Sequence, residues 1–211
     1  MVTGDPTRYR GGARMLGSSG GEMIGSEFPT VLENARGGDD AAFARMWREH
    51  QPPLLRYLRV VAGEAADDVA ADTWATVARS LARFEGDETA FRAWFFTVAR
   101  RRAVDHFRRE SRRPATPVDP AILRAASFAA IDADPIEAAL TAHSTRAALT
   151  LVAQLPRDQA EAVILRSVAG LDVAEVAAIM RKRPGTVRVL AHRGLRELAR
   201  RLAEEASTVT A

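Results

Sequence analysis

Apolar residues recur every three or four positions through most of the chain, and no long segment alternates strictly between apolar and polar, so the pattern predicts helices. Asp39-Asp40 caps the first, with Phe43, Met46, Trp47 and His50 on one face. Pro52-Pro53 is expected to end it and to open a second carrying Leu54, Leu55, Leu58 and Val61. A third begins near Ala66. Val69, Ala70, Thr73, Trp74, Val77 and Leu81 form its inner stripe, and Asp68, Asp72, Ala75 and Arg79 share its outer face. After a loop at Phe84-Glu85-Gly86-Asp87-Glu88, the fourth runs over about 89–109 and is the longest.

The second half reads differently. Residues 111–134, with Pro114, Pro117 and Pro120, form a linker. Asp134-Pro135-Ile136-Glu137 then starts a helix through Leu140, Ala147, Leu151 and Val152 to about residue 154. Leu155-Pro156 turns the chain into another with Ala160, Val163, Ile164 and Val168, and Gly170 ends that one. Asp172 and Glu175 form a capping-box pattern ahead of Val173, Val176, Ala177 and Met180. Arg181-Lys182-Arg183 interrupts, and Pro184 suits the first turn of a last helix. Val187, Leu190, Ala191, Leu195, Leu198 and Leu202 make its apolar stripe; Gly185, Val189, His192, Arg193, Arg196 and Arg200 lie opposite. Two short helices joined by a basic turn, the second cationic outside, read as a helix-turn-helix. An amphipathic hairpin with a solvated basic face is the plainer alternative.

Charge sharpens this picture through its distribution. The net charge over 211 residues is only +3. Yet residues 22–88 hold thirteen acids against seven bases, residues 100–113 seven arginines against two acids, and residues 181–201 eight bases against one acid. One acidic and two basic surfaces suggest a protein partner that accepts acids and a polyanion. The absence of cysteine excludes disulfides and thiolate metal sites and fits a reducing cytoplasm. No apolar run reaches membrane-spanning length, and no signal-peptide core is evident near residue 1. Residues 1–27, rich in Gly, Ser and Arg, read as a disordered extension.

The fourth helix carries Phe91, Trp94, Phe95 and Val98 on one side and Phe96, Ala103 and Phe107 on the other, interleaved with Arg92, Arg100, Arg101, Arg102, Arg108 and Arg109. Two apolar sides place a helix centrally in a bundle. Alternatively, some of the rings stack on unpaired bases while arginines follow phosphates. The pattern leaves both readings open.

Two stretches carry a family likeness. Ala66-Asp67-Asp68-Val69-Ala70-Ala71-Asp72-Thr73-Trp74, then Phe91-Arg92-Ala93-Trp94-Phe95-Phe96-Thr97-Val98-Ala99-Arg100 and Asp105-His106-Phe107-Arg108-Arg109, resemble the second conserved domain of bacterial sigma factors. Leu155-Pro156-Arg157-Asp158-Gln159, Gly170-Leu171, Ala174-Glu175-Val176-Ala177, Gly185-Thr186-Val187-Arg188 and His192-Arg193 resemble the fourth. In this order, with only a linker between, the chain resembles the extracytoplasmic-function group of the sigma-seventy family over roughly residues 40–203.

The resemblance implies an all-α fold of two small domains, a sigma2-like four-helix bundle (28–112) and a sigma4-like helix-turn-helix domain (135–205), joined by a flexible linker (113–134) and followed by a tail (206–211). It implies a promoter-specificity subunit of core RNA polymerase, with an anti-sigma protein as its controller. Asp67, Asp68, Asp72 and Arg79 match the part that docks on the clamp of the largest polymerase subunit. Phe84, Trp94, Phe95, Arg100, Arg101 and Arg108 fall where the minus-ten element is read and melted, with an extruded base gripped by the loop at 84–89. Thr186, Arg188, Val189, His192 and Arg193 match the half of the recognition helix that reaches base edges at the minus-thirty-five element. Arg181, Lys182, Arg183, Arg196 and Arg200 are placed for phosphates. The chain departs from the family pattern at Ala71 (usually Gln), at Arg101 (often Asn) and in the turn at 181–183, which has neither Gly nor a capping hydroxyl.

There is no phosphate-cradling glycine loop, no metal-spaced ligand cluster and no nucleophile–base pair, so neither enzyme activity nor a cofactor is expected. His50, His106, His143 and His192 are isolated. The rival functional reading is a free-standing helix-turn-helix regulator whose N-terminal helices sense a ligand or dimerise; a nucleic-acid enzyme lacks its acid–base or metal set.

Overall fold

The computed structural model describes residues 24–111 and 137–209, with the side chains of 137–144 and 205–209 left out. Residues 1–23 of the extension expected over 1–27, the linker expected over 113–134 and the cap at Asp134-Pro135-Ile136 lie outside the described residues. All regular structure described is helical: α1 (Phe28–Arg36), α2 (Asp40–Ala62), α3 (Ala66–Ser80), α4 (Glu88–Glu110), α5 (Glu137–Ala153), α6 (Arg157–Ser167), α7 (Val173–Met180) and α8 (Pro184–Val209).

Order begins before residue 28. Ile24 is buried, and the Glu88 carboxylate accepts from the backbone N–H groups of Ile24 (2.9 Å) and Gly25 (2.8 Å). This pins the entry to α1, whose Phe28, Val31 and Leu32 enter the core. Asp39 caps α2 by accepting from Ala41 N–H at 2.8 Å. The break expected at Pro52-Pro53 does not occur: α2 is continuous, with both prolines inside it. Each proline removes one backbone donor. Burial of Met46 and His50 before them, and of Leu54, Leu55, Tyr57 and Leu58 after them, holds the helix to one line against the bundle.

The stripe expected on α3 is the buried one, with Val69, Ala70, Thr73, Trp74, Val77 and the adjoining Leu81 all inside. Asp87 caps α4 by accepting from Ala90 N–H at 2.8 Å. α4 runs through the middle of the core, and its two apolar sides are both used: Phe91, Trp94, Phe95, Phe96, Ala99 and Ala103 are buried. Phe91 is the hub, with ring neighbours Phe28, His50, Phe84, Trp94 and Phe95 at centroid separations of 5.0–5.8 Å. The Trp74 indole N–H donates to Gln51 Oε1 at 2.7 Å, so its buried polar edge is satisfied.

In the C-terminal half, α6 is the central helix and packs most extensively on α8. Of the stripe expected on α8, Val187 is buried and Leu190, Ala191 and Leu198 are partly buried, but Leu195 (52% exposed) and Leu202 (53%) face outward. Gly194 takes the inner place instead. A Cβ there would stand 2.7 Å from Val163 Cγ2 and 3.4 Å from the Gln159 carbonyl oxygen. The bare glycine therefore sets how closely α8 approaches α6, and that small rotation moves Leu195 out. On α5, Leu149 and Val152 are buried while Ala147 is exposed, so its inner face is also shifted from the expected one. α8 continues to Val209, past the expected boundary at residue 205.

The two halves touch. α2 packs on α5 and α6, α4 packs on α7, and one cluster of buried residues extends from Ile24 to Val187.

His50 is the titratable residue most altered by the first core. Burial drives its imidazole from the ordinary 6.5 down to about 4, against the opposing effect of the Nδ1–H bond to the Met46 carbonyl (2.9 Å) and with help from the Arg92 charge. The neutral ring is the form the fold accepts. Its contribution is therefore complete above pH 6.5 and lost as pH falls from 6.5 towards 4, up to roughly 3 kcal/mol. Urea unfolding at pH 7 and pH 4.5 should show that fall in the natural chain and a much smaller one in His50→Phe.

Candidate nucleic-acid interface

The helix-turn-helix is built by local chemistry. At the start of α7, Asp172 Oδ1 accepts from Glu175 N–H (2.8 Å) while Glu175 Oε2 accepts from Asp172 N–H (2.6 Å), the complete capping box expected from the sequence. α7 ends at Arg181, which adopts the left-handed conformation (φ 54°, ψ 46°), alone among the described non-glycine residues. The Lys182 N–H reaches back to the Ala177 carbonyl at 2.9 Å, closing the turn. The missing turn glycine is thus replaced by a strained arginine rather than by another geometry. An L-residue there costs about 1–2 kcal/mol. Pro184 opens α8 as expected.

This turn presents most of the predicted upstream-element set to solvent. Arg181, Arg183, Thr186, Arg188, Val189, His192, Arg193 and Arg196 are all exposed on the turn and the first four turns of α8. Val189, 47% exposed among cations, offers an apolar patch of the kind that meets a thymine methyl in the major groove. Two cations are occupied instead. Lys182 Nζ pairs with Asp158 of α6 at 2.8 Å, tying the turn to the helix beneath it. Arg200 is held by Glu197 at 2.7 Å and by Glu204, both on its own helix.

The predicted downstream-element set divides more sharply. Phe84 and Trp94 are buried and Phe95 has no exposed surface. Their rings pack on one another and on Phe91: Phe84 on Trp94 at 5.2 Å, Phe91 on Phe95 at 5.8 Å. No base can stack on them while the core is packed in this way. Arg101 and Arg108 are exposed. Arg100 is not free: its Nε donates to the Glu161 carboxylate of α6 at 2.7 Å. Phe107, on the other side of α4, is 40% exposed and lies 5.7 Å from the Arg157 guanidinium.

The acidic set lies on the outer face of α3. Asp67, Asp68, Asp72 and Arg79 are all exposed on α3. Asp72 pairs with Arg109 at 3.1 Å, a solvent-exposed contact worth little. Among the described residues no cluster of His, Cys, Asp or Glu is arranged to hold a metal.

Sequence reasoning missed Tyr57 and Glu161. The Tyr57 hydroxyl donates to Glu161 Oε1 at 3.0 Å, both groups buried and 104 positions apart. Burial and the neighbouring carboxylate hold the Tyr57 phenol well above its usual range. Burial alone would lower the Arg100 guanidinium, but the hydrogen bond and charge of Glu161 outweigh it and raise it. The available signal was one acid inside the apolar run Ala160-Glu161-Ala162-Val163-Ile164-Leu165.

Two family models match the chain, Sigma-70 region 2 over residues 46–113 and Sigma-70, region 4 over residues 145–198. The ECF RNA polymerase sigma factor BldN of Streptomyces coelicolor is 32% identical over 183 residues, covering 83% of this chain and 66% of its own length. SigD of Mycobacterium tuberculosis, also an ECF sigma factor, is 31% identical over 182 residues, 83% of this chain and 84% of its own. The RNA polymerase sigma factor CarQ of Myxococcus xanthus is 33% identical over 175 residues, covering 82% and 96%. Among solved structures, CnrH in complex with the cytosolic domain of CnrY superposes with a TM-score of 0.56 at 19% identity, over 85% of this chain and 99% of that one. The sigma factor RpoE in complex with the anti-sigma factor NepR, from Bartonella quintana, gives 0.54 at 18% identity, over 84% and 94%. At these identities the structures establish the shared fold.

Relief of the turn strain is measurable by itself. Arg181→Gly should stabilise the chain by up to about 1 kcal/mol, or roughly 2–4 °C in the melting midpoint. Arg181→Val, β-branched at the same φ, should lower the midpoint. Circular-dichroism melts of the three chains decide it.

Proposed function

The chain belongs to the extracytoplasmic-function sigma factors, and from that premise we propose that it is a promoter-specificity subunit that brings core RNA polymerase to a minus-ten/minus-thirty-five promoter. The observation that carries the proposal is the separation of exposed charge. Exposed carboxylates at Asp67 and Asp68 line the outer face of α3, and exposed cations from Arg183 to Arg196 line the outer face of α8, on opposite halves of the chain. An enzyme surface and a polyanion can therefore be held at once without competing for the same residues.

In this mechanism α3 docks on the polymerase clamp through Asp67, Asp68, Asp72 and Arg79. α8 enters the major groove at the upstream element with Thr186, Arg188, Val189, His192 and Arg193 at base edges, and Arg181, Arg183 and Arg196 at phosphates. At the downstream element Arg101 and Arg108 meet the phosphate backbone, joined by Arg100 once Glu161 releases it. The buried aromatics of α4 act as the rigid support of that surface. The chain does no chemistry of its own; the polymerase does. An anti-sigma partner, such as RpoE has in NepR, controls its availability. The site of action is the cytoplasm, where polymerase and chromosome lie; among the described residues no helix is long and apolar enough to cross a membrane.

Run-off transcription with purified core polymerase tests the proposal: the chain should support promoter-dependent transcripts that core alone does not make. A free-standing regulator would give none. Arg193→Ala should weaken binding to the preferred upstream element by about 10- to 100-fold while changing binding to unrelated DNA little. An equal loss on every sequence would make Arg193 a phosphate contact. Asp68→Lys with Asp72→Lys should abolish co-elution with core polymerase at unchanged helical content, and normal co-elution would remove α3 from the docking surface.

A further inference from the structure

The contact between Tyr57, Arg100 and Glu161 joins the two halves through groups that water would otherwise serve. Glu161 is 4% exposed, yet one of its oxygens, Oε1, accepts both the Tyr57 hydroxyl (3.0 Å) and Arg100 Nε (2.7 Å). Both donors come from the first half and the acceptor from the second. Around them the seam is continuous: Val60 of α2 packs on the cluster of Val152, Leu155, Ala160 and Val163. Arg157 lies over Phe107. Arg92 Nη1 would stand 3.1 Å from a Cβ at Gly170, whose φ of +64° also favours glycine. A buried carboxylate that lost its donors without regaining water would be strongly destabilised, so this seam is either fully made or fully open.

The made seam does not fit the promoter-bound state. Elements centred about 25 base pairs apart are separated by roughly 85 Å along a duplex, at about 3.4 Å per pair. α4, assigned to one element, packs directly on α7, the neighbour of the helix assigned to the other. In addition, Glu161 holds Arg100 through Nε with only 26% of its side chain exposed, which draws the guanidinium inward and away from a phosphate.

We propose that Glu161 is the clasp of a self-closed form: by gathering Tyr57 and Arg100 it folds the two promoter-binding halves together, withholds Arg100 from DNA, and must let go before both elements are engaged. The inference rests on the promoter-specificity reading above for what the open form does, but the clasp itself is a property of the isolated chain. Anything that binds one half across the seam shifts the balance by its preference for the open form.

The test uses the full chain. It contains no cysteine, so Ala78→Cys on α3 and Ala199→Cys on α8, both exposed, accept a donor–acceptor dye pair uniquely. Glu161→Gln keeps the shape and removes the charge; Glu161→Lys places a cation beside Arg100. Both should lower energy transfer relative to the labelled parent, with the closed-to-open ratio falling on the order of tenfold or more for Glu161→Gln. Far-UV circular dichroism should show unchanged helical content. If Glu161→Lys fails to fold, Glu161→Gln decides. Equal transfer in parent and variants, whether all high or all low, overturns the clasp. In run-off assays at limiting core polymerase, Glu161→Gln should yield more transcript than the parent. Parental transcription with no change in transfer on substitution would sink the clasp and leave the sigma reading standing. A transfer change with no transcript from any form would sink the sigma reading alone.

Discussion

A carboxylate in the interior cannot stand without partners, and the arrangement of this chain follows from where Glu161 finds them. Its own helix supplies none. The Tyr57 hydroxyl and the Arg100 guanidinium come from two helices of the other half, so satisfying one side chain fixes α6 against both α2 and α4. Apolar burial along the seam supplies attraction without direction. The hydrogen bonds supply register, because an ion pair of this kind tolerates little displacement before its desolvation is uncompensated. The consequence reaches the DNA-facing surface, since the guanidinium recruited for closure is one the family likeness assigns to the promoter.

The rest of the surface is organised by keeping opposite charges apart. α3 shows acids and α8 shows cations, and the internal pairs that do form (Lys182 with Asp158, Arg109 with Asp72, Arg200 with Glu197) trim each face. What remains free on α8 is the arc from Arg183 to Arg196, which is where a helix entering a groove places its base-reading side chains. The aromatics of α4 serve a different end. With Phe91 at their centre they make the first half rigid, so the arginines beyond them project from a fixed platform.

Much of this was legible in the sequence wherever one local rule decided the outcome. The capping box at Asp172 and Glu175, Pro184 at the start of α8 and the inner stripe of α3 depend on residues within a turn of one another, and all appear as read. The misses are cases where tertiary packing overrode a local preference. Pro52 and Pro53 should break α2, but burial on both sides of them holds one helix. Arg181 occupies a glycine conformation in the turn that Lys182 N–H closes onto the Ala177 carbonyl. Leu195 and Leu202 have the right spacing for the core, but Gly194 has the right size. Glu161 was read past because an isolated acid carries no periodic signal, and its partners lie 61 and 104 positions away.

The most direct measurement is a double-mutant cycle on unfolding free energy with Tyr57→Phe, Glu161→Gln and the pair, in the otherwise natural chain. If the halves are joined as described, the two substitutions should be non-additive by about 1–3 kcal/mol, because each removes an interaction that needs the other. Strict additivity would mean that the hydroxyl and the carboxylate do not meet in solution, and the closed arrangement would have to be abandoned.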